Sequence, residues 1–340
     1  MVKSLNMNRF KGRQTIQVNQ KLVSSRYLED GKTLPLVMEP NTDGVNLYEW
    51  VKANQEEVNE SLYKNGGILF RGFNVTNTKD FHFFINQVSG ELLEYKDNVT
   101  PRSAVKNQIY TSTDFAADQS IELHNEMAYS HEWPMKIFFY CDTPALSGGE
   151  TPIADSRRIY EKMDSSIVEK FTKKNVMYVR NLGLPLGMKW QDVFQTDDKD
   201  FVEEQCRKNG MECIWKTADH LRIQQVRPAI SVHPVTGENI WFNQITAFNI
   251  TTLESEIREE ILHQYDEQNV PKTSFYGDGT TIEPEVLEEI RRVYEEETVK
   301  FTWQKGDILM LDNMMVAHGR TPYKGDRKIL VGMTESNSWK

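Results

Sequence analysis

The sequence predicts a single mixed α/β domain built mainly on a β core, and three observations predict it. Short apolar and aromatic runs bounded by glycine, proline or polar turns occur early, in the middle and at the very end of the chain. Helix-spaced apolar patterns lie between them. No internal repeat or low-complexity stretch divides the 340 residues, a length that one elaborated sheet-based domain can fill. Strands near both ends of the chain are expected to join one sheet system.

Residues 1–40 show no clear periodicity and are expected to form an irregular arm ahead of a domain over 41–340. A helix is expected over 46–63, with Glu49 in its first turn and Gly66-Gly67 ending it. Ile68-Leu69-Phe70-Arg71-Gly72-Phe73 reads as a strand closed by glycine. Phe81, Phe84, Ile85 and Val88 then fall at helical spacing and predict a helix over 78–90. Residues 134–141 are apolar and β-like, and 145–154 read as a turn and a further strand. Charged surface helices are expected over 155–173 and 199–209. The segments 225–233 and 239–242 look like paired strands joined by Pro234-Val-Thr-Gly237. Two more amphipathic helices, over 253–265 and 284–297, open with acidic residues that suit a helix N-terminus. Strands return at 307–312 and 328–334.

Composition narrows the function. A formal charge of -10 argues against non-specific binding to nucleic acid or to an anionic membrane, since both reward a basic surface. Three cysteines (Cys141, Cys206 and Cys213) form no C-x-x-C pair, which disfavours a disulfide scaffold or a thiolate zinc site and suits a reducing cytoplasm. The polar start and the lack of an apolar run of about 18–20 residues leave no sign of a signal peptide or membrane anchor. A cytoplasmic protein is the expectation.

Of seven histidines, only His124 is followed two places later by a carboxylate, in Leu123-His124-Asn125-Glu126. In an extended segment residues i and i+2 share a face, so one imidazole and one carboxylate could grip a metal side by side. A second histidine from elsewhere would complete a two-histidine, one-carboxylate face, whose open positions suit Fe(II) and O₂. Alone, a His-x-Glu also reads as a chance surface pair.

A richer signal follows: Trp303, then Gly306-Asp307-Ile-Leu-Met-Leu311-Asp312-Asn313, His318-Gly319-Arg320-Thr321-Pro322-Tyr323, and Arg327-Lys328-Ile329-Leu330. A turn leads into a buried strand, a histidine follows, and the chain returns carrying Arg327 beside apolar residues. Such an arginine needs an anionic partner. That partner is either a protein carboxylate or the distal carboxylate of a dicarboxylic cosubstrate, held in a bidentate fork.

Together with Gly67-Ile-Leu-Phe-Arg-Gly-Phe73 and Gly148-Gly-Glu-Thr151-Pro, these stretches resemble the taurine dioxygenase/clavaminate synthase-like (TauD/TfdA) superfamily of Fe(II)/2-oxoglutarate oxygenases over most of the chain. The resemblance implies a double-stranded β-helix, or jelly roll, with flanking helices and a long insertion between the metal motifs, roughly 156–300. It implies His124, Glu126 and His318 as iron ligands, Arg327 as the partner of the 2-oxoglutarate distal carboxylate, and Thr151 as a second contact to that cosubstrate. The other reading of Thr151 is a plain strand-edge residue. Two departures stand out. The carboxylate is a glutamate where the taurine branch has aspartate, similar to the clavaminate synthase branch. The second arginine often found four residues after the first is replaced by Val331; Arg320 could help instead, or be a solvated turn residue. The reaction implied is hydroxylation of an unactivated C–H with Fe(II), 2-oxoglutarate and O₂, releasing succinate and CO₂.

Within the superfamily, Thr111–Asp114, His124–Ser130, Gly148–Arg157 and His233–Asn243 are similar to a SyrP-like group associated with amino-acid hydroxylation, often on a carrier-tethered substrate. The expected partners are a small-molecule substrate and, in the tethered case, an aminoacyl carrier protein; a homo-oligomer is compatible. Arg102 could pair a substrate carboxylate or form an ordinary surface ion pair. Asn125 is expected to point off the metal face, Trp241 and Phe242 to be core, and His131 and His220 to be structural. The competing readings are the same chemistry on a sulfonate or other small organic acid, a desaturase or cyclase variant, and a jelly-roll binding protein without chemistry. Glu126 argues against halogenation, because halogenases of this type lack the carboxylate ligand.

Overall fold

Two sheets face each other across an apolar interior to form a jelly roll. The structure is a computed structural model that describes residues 21–29, 31–94, 104–106, 108–112, 115–185 and 187–339. The larger sheet has eight strands in the order Val23–Tyr27, Leu36–Pro40, Gly67–Phe70, Ile308–Asp312, Glu132–Thr143, Lys328–Ser338, Ile109–Thr111 and Ala104–Lys106. All neighbours are antiparallel except Leu36–Pro40 with Gly67–Phe70. The smaller sheet places Val316–Arg320 between Ile121–His124 and Ile153–Asp155.

The continuous apolar runs follow from burial of both faces of the larger sheet. Leu69, Ile137, Phe139, Leu309, Leu311, Ile329 and Val331 point inward and meet Ile153 and Val316 of the smaller sheet. Their neighbours Ile68, Phe70, Phe138, Tyr140, Ile308, Met310 and Leu330 point the other way, onto Phe81, Phe84 and Ile85 of the helix Thr78–Ser89. The period of two in a strand thus divides one apolar run between two cores.

The long insertion lies between Ile153–Asp155 and Ile308–Asp312 and has its own four-stranded sheet, ordered Glu212–Trp215, Leu221–Arg227, Val176–Leu182 and Lys272–Tyr276. Its helices Ser156–Lys162, Ser165–Lys174 and Pro284–Glu297 pack a further core against Ala154 and Ala317 of the smaller sheet. None of the described helices is long and apolar enough to cross a membrane.

Several expectations are corrected. The stretch expected as an irregular arm contains Val23–Tyr27 and Leu36–Pro40, two strands that extend the larger sheet. They escape pattern reading because they are short, and four of the five residues of the first are exposed. The helix expected over 46–63 is two helices, Leu47–Ala53 and Gln55–Asn65, broken where Asn54 leaves helical geometry and its side chain bonds back to Trp50 O at 2.7 Å. The one over 155–173 divides at Asp164, whose side chain accepts from Ser166 N and starts a new helix. Pro228, with no N–H to give, ends the strand Leu221–Arg227, so Ile230–Val232 pairs with Asn239–Trp241 as a separate hairpin.

Candidate metal centre

His318 lies in the middle of the central strand of the smaller sheet, opposite His124 in the ladder. Gly319 permits that close pairing, since a Cβ there would come within 2.5 Å of Ile121 O. The two imidazole rings are 4.6 Å apart, and the His318 ring lies 5.1 Å from Phe139 on the larger sheet. Glu126 Oε2 is 3.6 Å from His318 Nε2 and 4.0 Å from His124 Nε2. One ligand atom from each of the three residues falls within 4.8 Å of the others, the only such group of three or more His, Cys, Asp or Glu among the described residues.

The expectation that His124 and Glu126 share an extended strand is half right. The strand ends at His124. Glu126 belongs to the turn that follows, in which Met127 takes a positive φ of 57°. The polar groups of that turn are held by buried amide side chains. Asn313 Oδ1 accepts from Glu126 N at 2.7 Å, and its Nδ2 donates to Glu126 O at 2.9 Å and Pro134 O at 2.8 Å. Gln244 Nε2 donates to Asn125 O at 2.8 Å. Asn125 points off the metal face, as expected, and donates to Asn313 O and Ser156 Oγ.

The residues fit a metal. His124 Nδ1 faces Glu122 O at 2.8 Å, which fixes its proton there and leaves the Nε2 lone pair directed at the Glu126 side. Ligands cis to one another at about 2.1 Å from a metal lie about 3 Å apart, so a small side-chain rotation closes the observed separations. Two imidazoles and one carboxylate on one face leave the opposite positions open, the pattern of non-haem Fe(II) oxygenases.

Gly148-Gly149 packs against Arg327. Both glycines have positive φ, and a Cβ on Gly148 would lie 2.2 Å from Pro322 O. Arg327 Nε donates to Gly149 O at 2.9 Å and Nη1 to Ser112 Oγ at 3.4 Å. It makes no ion pair with a carboxylate among the described residues. Burial, and secondarily Arg320, push its guanidinium down to about 10, which leaves it cationic at neutral pH. Thr151 is buried, and its Oγ1 accepts from Trp303 Nε1 at 3.1 Å, so its own hydroxyl hydrogen is available to a further acceptor.

Arg320 is neither a turn residue nor solvated. It is buried at the end of the central strand and donates to the carbonyls of Phe115, Ala116 and Gln119, at 3.0, 2.5 and 2.8 Å. Those bonds hold the loop that leads into Ile121–His124. Arg102 lies outside the described residues. Trp241 and Phe242 are core, and His220 bonds to Asn181 within the insertion.

Sequence reasoning passed over Asn313, Gln244, Trp303 and the pair His233–Asp312. His233 Nδ1 accepts from Val235 N and Thr236 N, so Nε2 carries the proton and donates to Asp312 Oδ2 at 3.0 Å. Asp312 Oδ1 in turn accepts from Met314 N and Met315 N, shaping the turn into the His318 strand. The signal for this network was Asp312-Asn313 itself, a polar pair between two apolar runs, where only bonded side chains are tolerated.

A jelly roll carrying two histidines on adjacent strands of one sheet, with a carboxylate in the turn that follows, is the architecture of non-haem metal oxygenases. Residues 30–334 match the sequence profile of the taurine catabolism dioxygenase TauD, TfdA family, and the chain belongs to that family. It is accordingly a dioxygenase that works with Fe(II), 2-oxoglutarate and O₂. Among similar proteins, the dapdiamide synthesis protein DdaC of Enterobacter agglomerans is 37% identical, over 82% of this chain and 84% of its own length. A clavaminate synthase-like protein of Arabidopsis thaliana is 29% identical, over 89% and 94%. PvcB of Pseudomonas aeruginosa shares the fold with a TM-score of 0.55 at 15% identity, covering 95% of this chain and 94% of its own. In another structure PvcB is described as an Fe, alpha-ketoglutarate dependent oxygenase from an isonitrile synthetic pathway. A taurine dioxygenase from Burkholderia xenovorans gives 0.51 at 14% identity, over 94% and 95%.

Proposed function

We propose that this enzyme hydroxylates an unactivated C–H of an amino acid, free or tethered to a carrier protein, in the making of a specialised metabolite. His124, Glu126 and His318 hold the iron, and Arg327 with Thr151 holds 2-oxoglutarate. The observation that carries the reading is the three-ligand face of His124, Glu126 and His318, joined by an arginine anchored on Gly149 O that has no carboxylate partner among the described residues. The similarity to a dapdiamide synthesis protein supports the substrate class.

When bound, Fe(II) with 2-oxoglutarate supplies the activation of O₂ that turns the cosubstrate into succinate and CO₂ and delivers oxygen to a C–H bond. The chain's own residues supply orientation. His124, through its bond to Glu122 O, offers Nε2 without a proton. Trp303 holds Thr151 so that its hydroxyl donates toward a carboxylate. Gly149 O sets the plane of the Arg327 fork. The apolar side chains around His318, Phe139 foremost, exclude water from that edge. Arg320 acts on the loop over 115–119 rather than on the cosubstrate.

The test is Fe(II)-dependent succinate formation from 2-oxoglutarate, screened with free amino acids, carrier-bound aminoacyl groups and small sulfonates, with His318→Ala as the blank. Stimulation by an amino acid in either form, absent in the variant, is the expected result. Stimulation by a sulfonate alone would overturn the substrate class.

A further inference from the structure

The carboxylate at the metal face is the one ligand that no strand supports. His124 and His318 sit opposite each other in a ladder, whereas Glu126 follows the strand's end in a four-residue turn. Its main chain is held on both sides by the Asn313 side chain. Asn313 is fully buried, and its amide meets the N–H of Glu126, the carbonyl of Glu126 and the carbonyl of Pro134, all between 2.7 and 2.9 Å. One donor and two acceptors around the amide fix which end is oxygen and which nitrogen, and leave it no second orientation. The same residue's main-chain carbonyl accepts from Asn125, so both residues that follow His124 hang on it. Asn313 also opens the turn that Asp312 builds into the His318 strand. Asn313 therefore joins the segment of the carboxylate to the segment of the second histidine.

We infer that Asn313 is the positioning residue for the Glu126 carboxylate, and that it fixes the reach of this glutamate arm so that it closes the metal face. The inference rests on the proposed iron site. Hydrogen-bond partners of metal ligands typically change metal affinity by about 10- to 100-fold when removed, and the same range is expected here.

The experiment is a Ni(II) titration of the full chain, chosen because imidazole sites bind Ni(II) strongly enough to be followed in weakened variants. Wild type, Asn313→Ala, Glu126→Ala and the double variant are compared. Asn249→Ala is the control, an equally buried asparagine of the insertion whose amide bonds Ser274. Asn313→Ala is expected to weaken Ni(II) binding by about 10- to 100-fold. In the Glu126→Ala background the same change should cost little more, because a residue acting through Glu126 has nothing left to position. Asn249→Ala should lower the melting temperature and leave the affinity alone. Wild-type affinity in Asn313→Ala would overturn the inference, as would a loss that repeats in full without Glu126. If Asn313→Ala does not fold, Asn313→Asp keeps the shape and the acceptor but loses both donors, and the same comparison applies. A folded wild type that binds no Ni(II) would sink the iron-site reading itself, a result distinct from a bound metal with no coupling.

Discussion

Replacing Arg327 by glutamine separates the cosubstrate site from the metal site. The guanidinium uses Nε on Gly149 O and one end on Ser112 Oγ, which leaves its remaining N–H donors for the distal carboxylate of 2-oxoglutarate. Truncating one partner of a buried, hydrogen-bonded charge pair costs about 2–5 kcal/mol. Arg327 is only partly buried, which points to the lower part of that range. A loss of about 2–3 kcal/mol corresponds to about 30- to 150-fold in Kd. Arg327→Lys keeps the charge but loses both the fork and the anchor on Gly149, so about a tenfold loss is expected. The assay is anaerobic calorimetric titration of 2-oxoglutarate into Mn(II)-loaded protein, with Mn(II) affinity measured separately. Binding of 2-oxoglutarate by Arg327→Gln within about threefold of wild type would refute the assignment. So would an equal loss of Mn(II) affinity, since that would place the arginine in the metal site.

Three further outcomes follow from the same geometry. Trp303→Phe removes the one N–H that holds Thr151 Oγ1, and the loss of about 1 kcal/mol should raise the 2-oxoglutarate Kd about fivefold by titration while Mn(II) binding is unchanged. Gly149→Ala places a Cβ 2.9 Å from Arg327 Cδ on a residue at φ +72°; thermal melts should show about 1–2 kcal/mol of destabilisation, and 2-oxoglutarate binding should weaken with it. Affinity for 2-oxoglutarate should not respond to Arg327 across the neutral range, because burial lowers the guanidinium's titration yet leaves it cationic there and a bound carboxylate favours the charged form further; a pH series of titrations reads this directly, and a fall in that range that Arg327→Gln abolishes would count against it.

Local pattern was enough for much of the molecule. The runs at 67–70, 137–141, 308–311 and 329–333 hold only apolar and aromatic side chains and have turn or polar residues at their ends, which marks a strand segment buried on both faces wherever it lies in the fold. The helices Thr78–Ser89 and Pro284–Glu297 announce themselves by apolar spacing and by acidic first turns. His124 and Glu126 stand out as a His-x-Glu pair, and His318 is added to them only by the resemblance that the long motif around it carries.

What the tertiary structure decided was everything that depends on a partner distant in sequence. Asn313 reads as an ordinary polar residue until Glu126, 187 positions away, presents its N–H and carbonyl to it. Trp303 reads as core until Thr151 takes its indole N–H across 152 positions. Arg320 could be a turn residue or a cosubstrate contact from sequence, and only the loop 115–119 folding over it shows that its Nη1 and Nη2 donate to main-chain carbonyls. The short strands Val23–Tyr27 and Leu36–Pro40 exist because a neighbouring strand supplies their hydrogen bonds, not because their own residues demand it. Sequence sets which groups must be buried or bonded; which atoms satisfy one another is fixed only when the chain closes on itself.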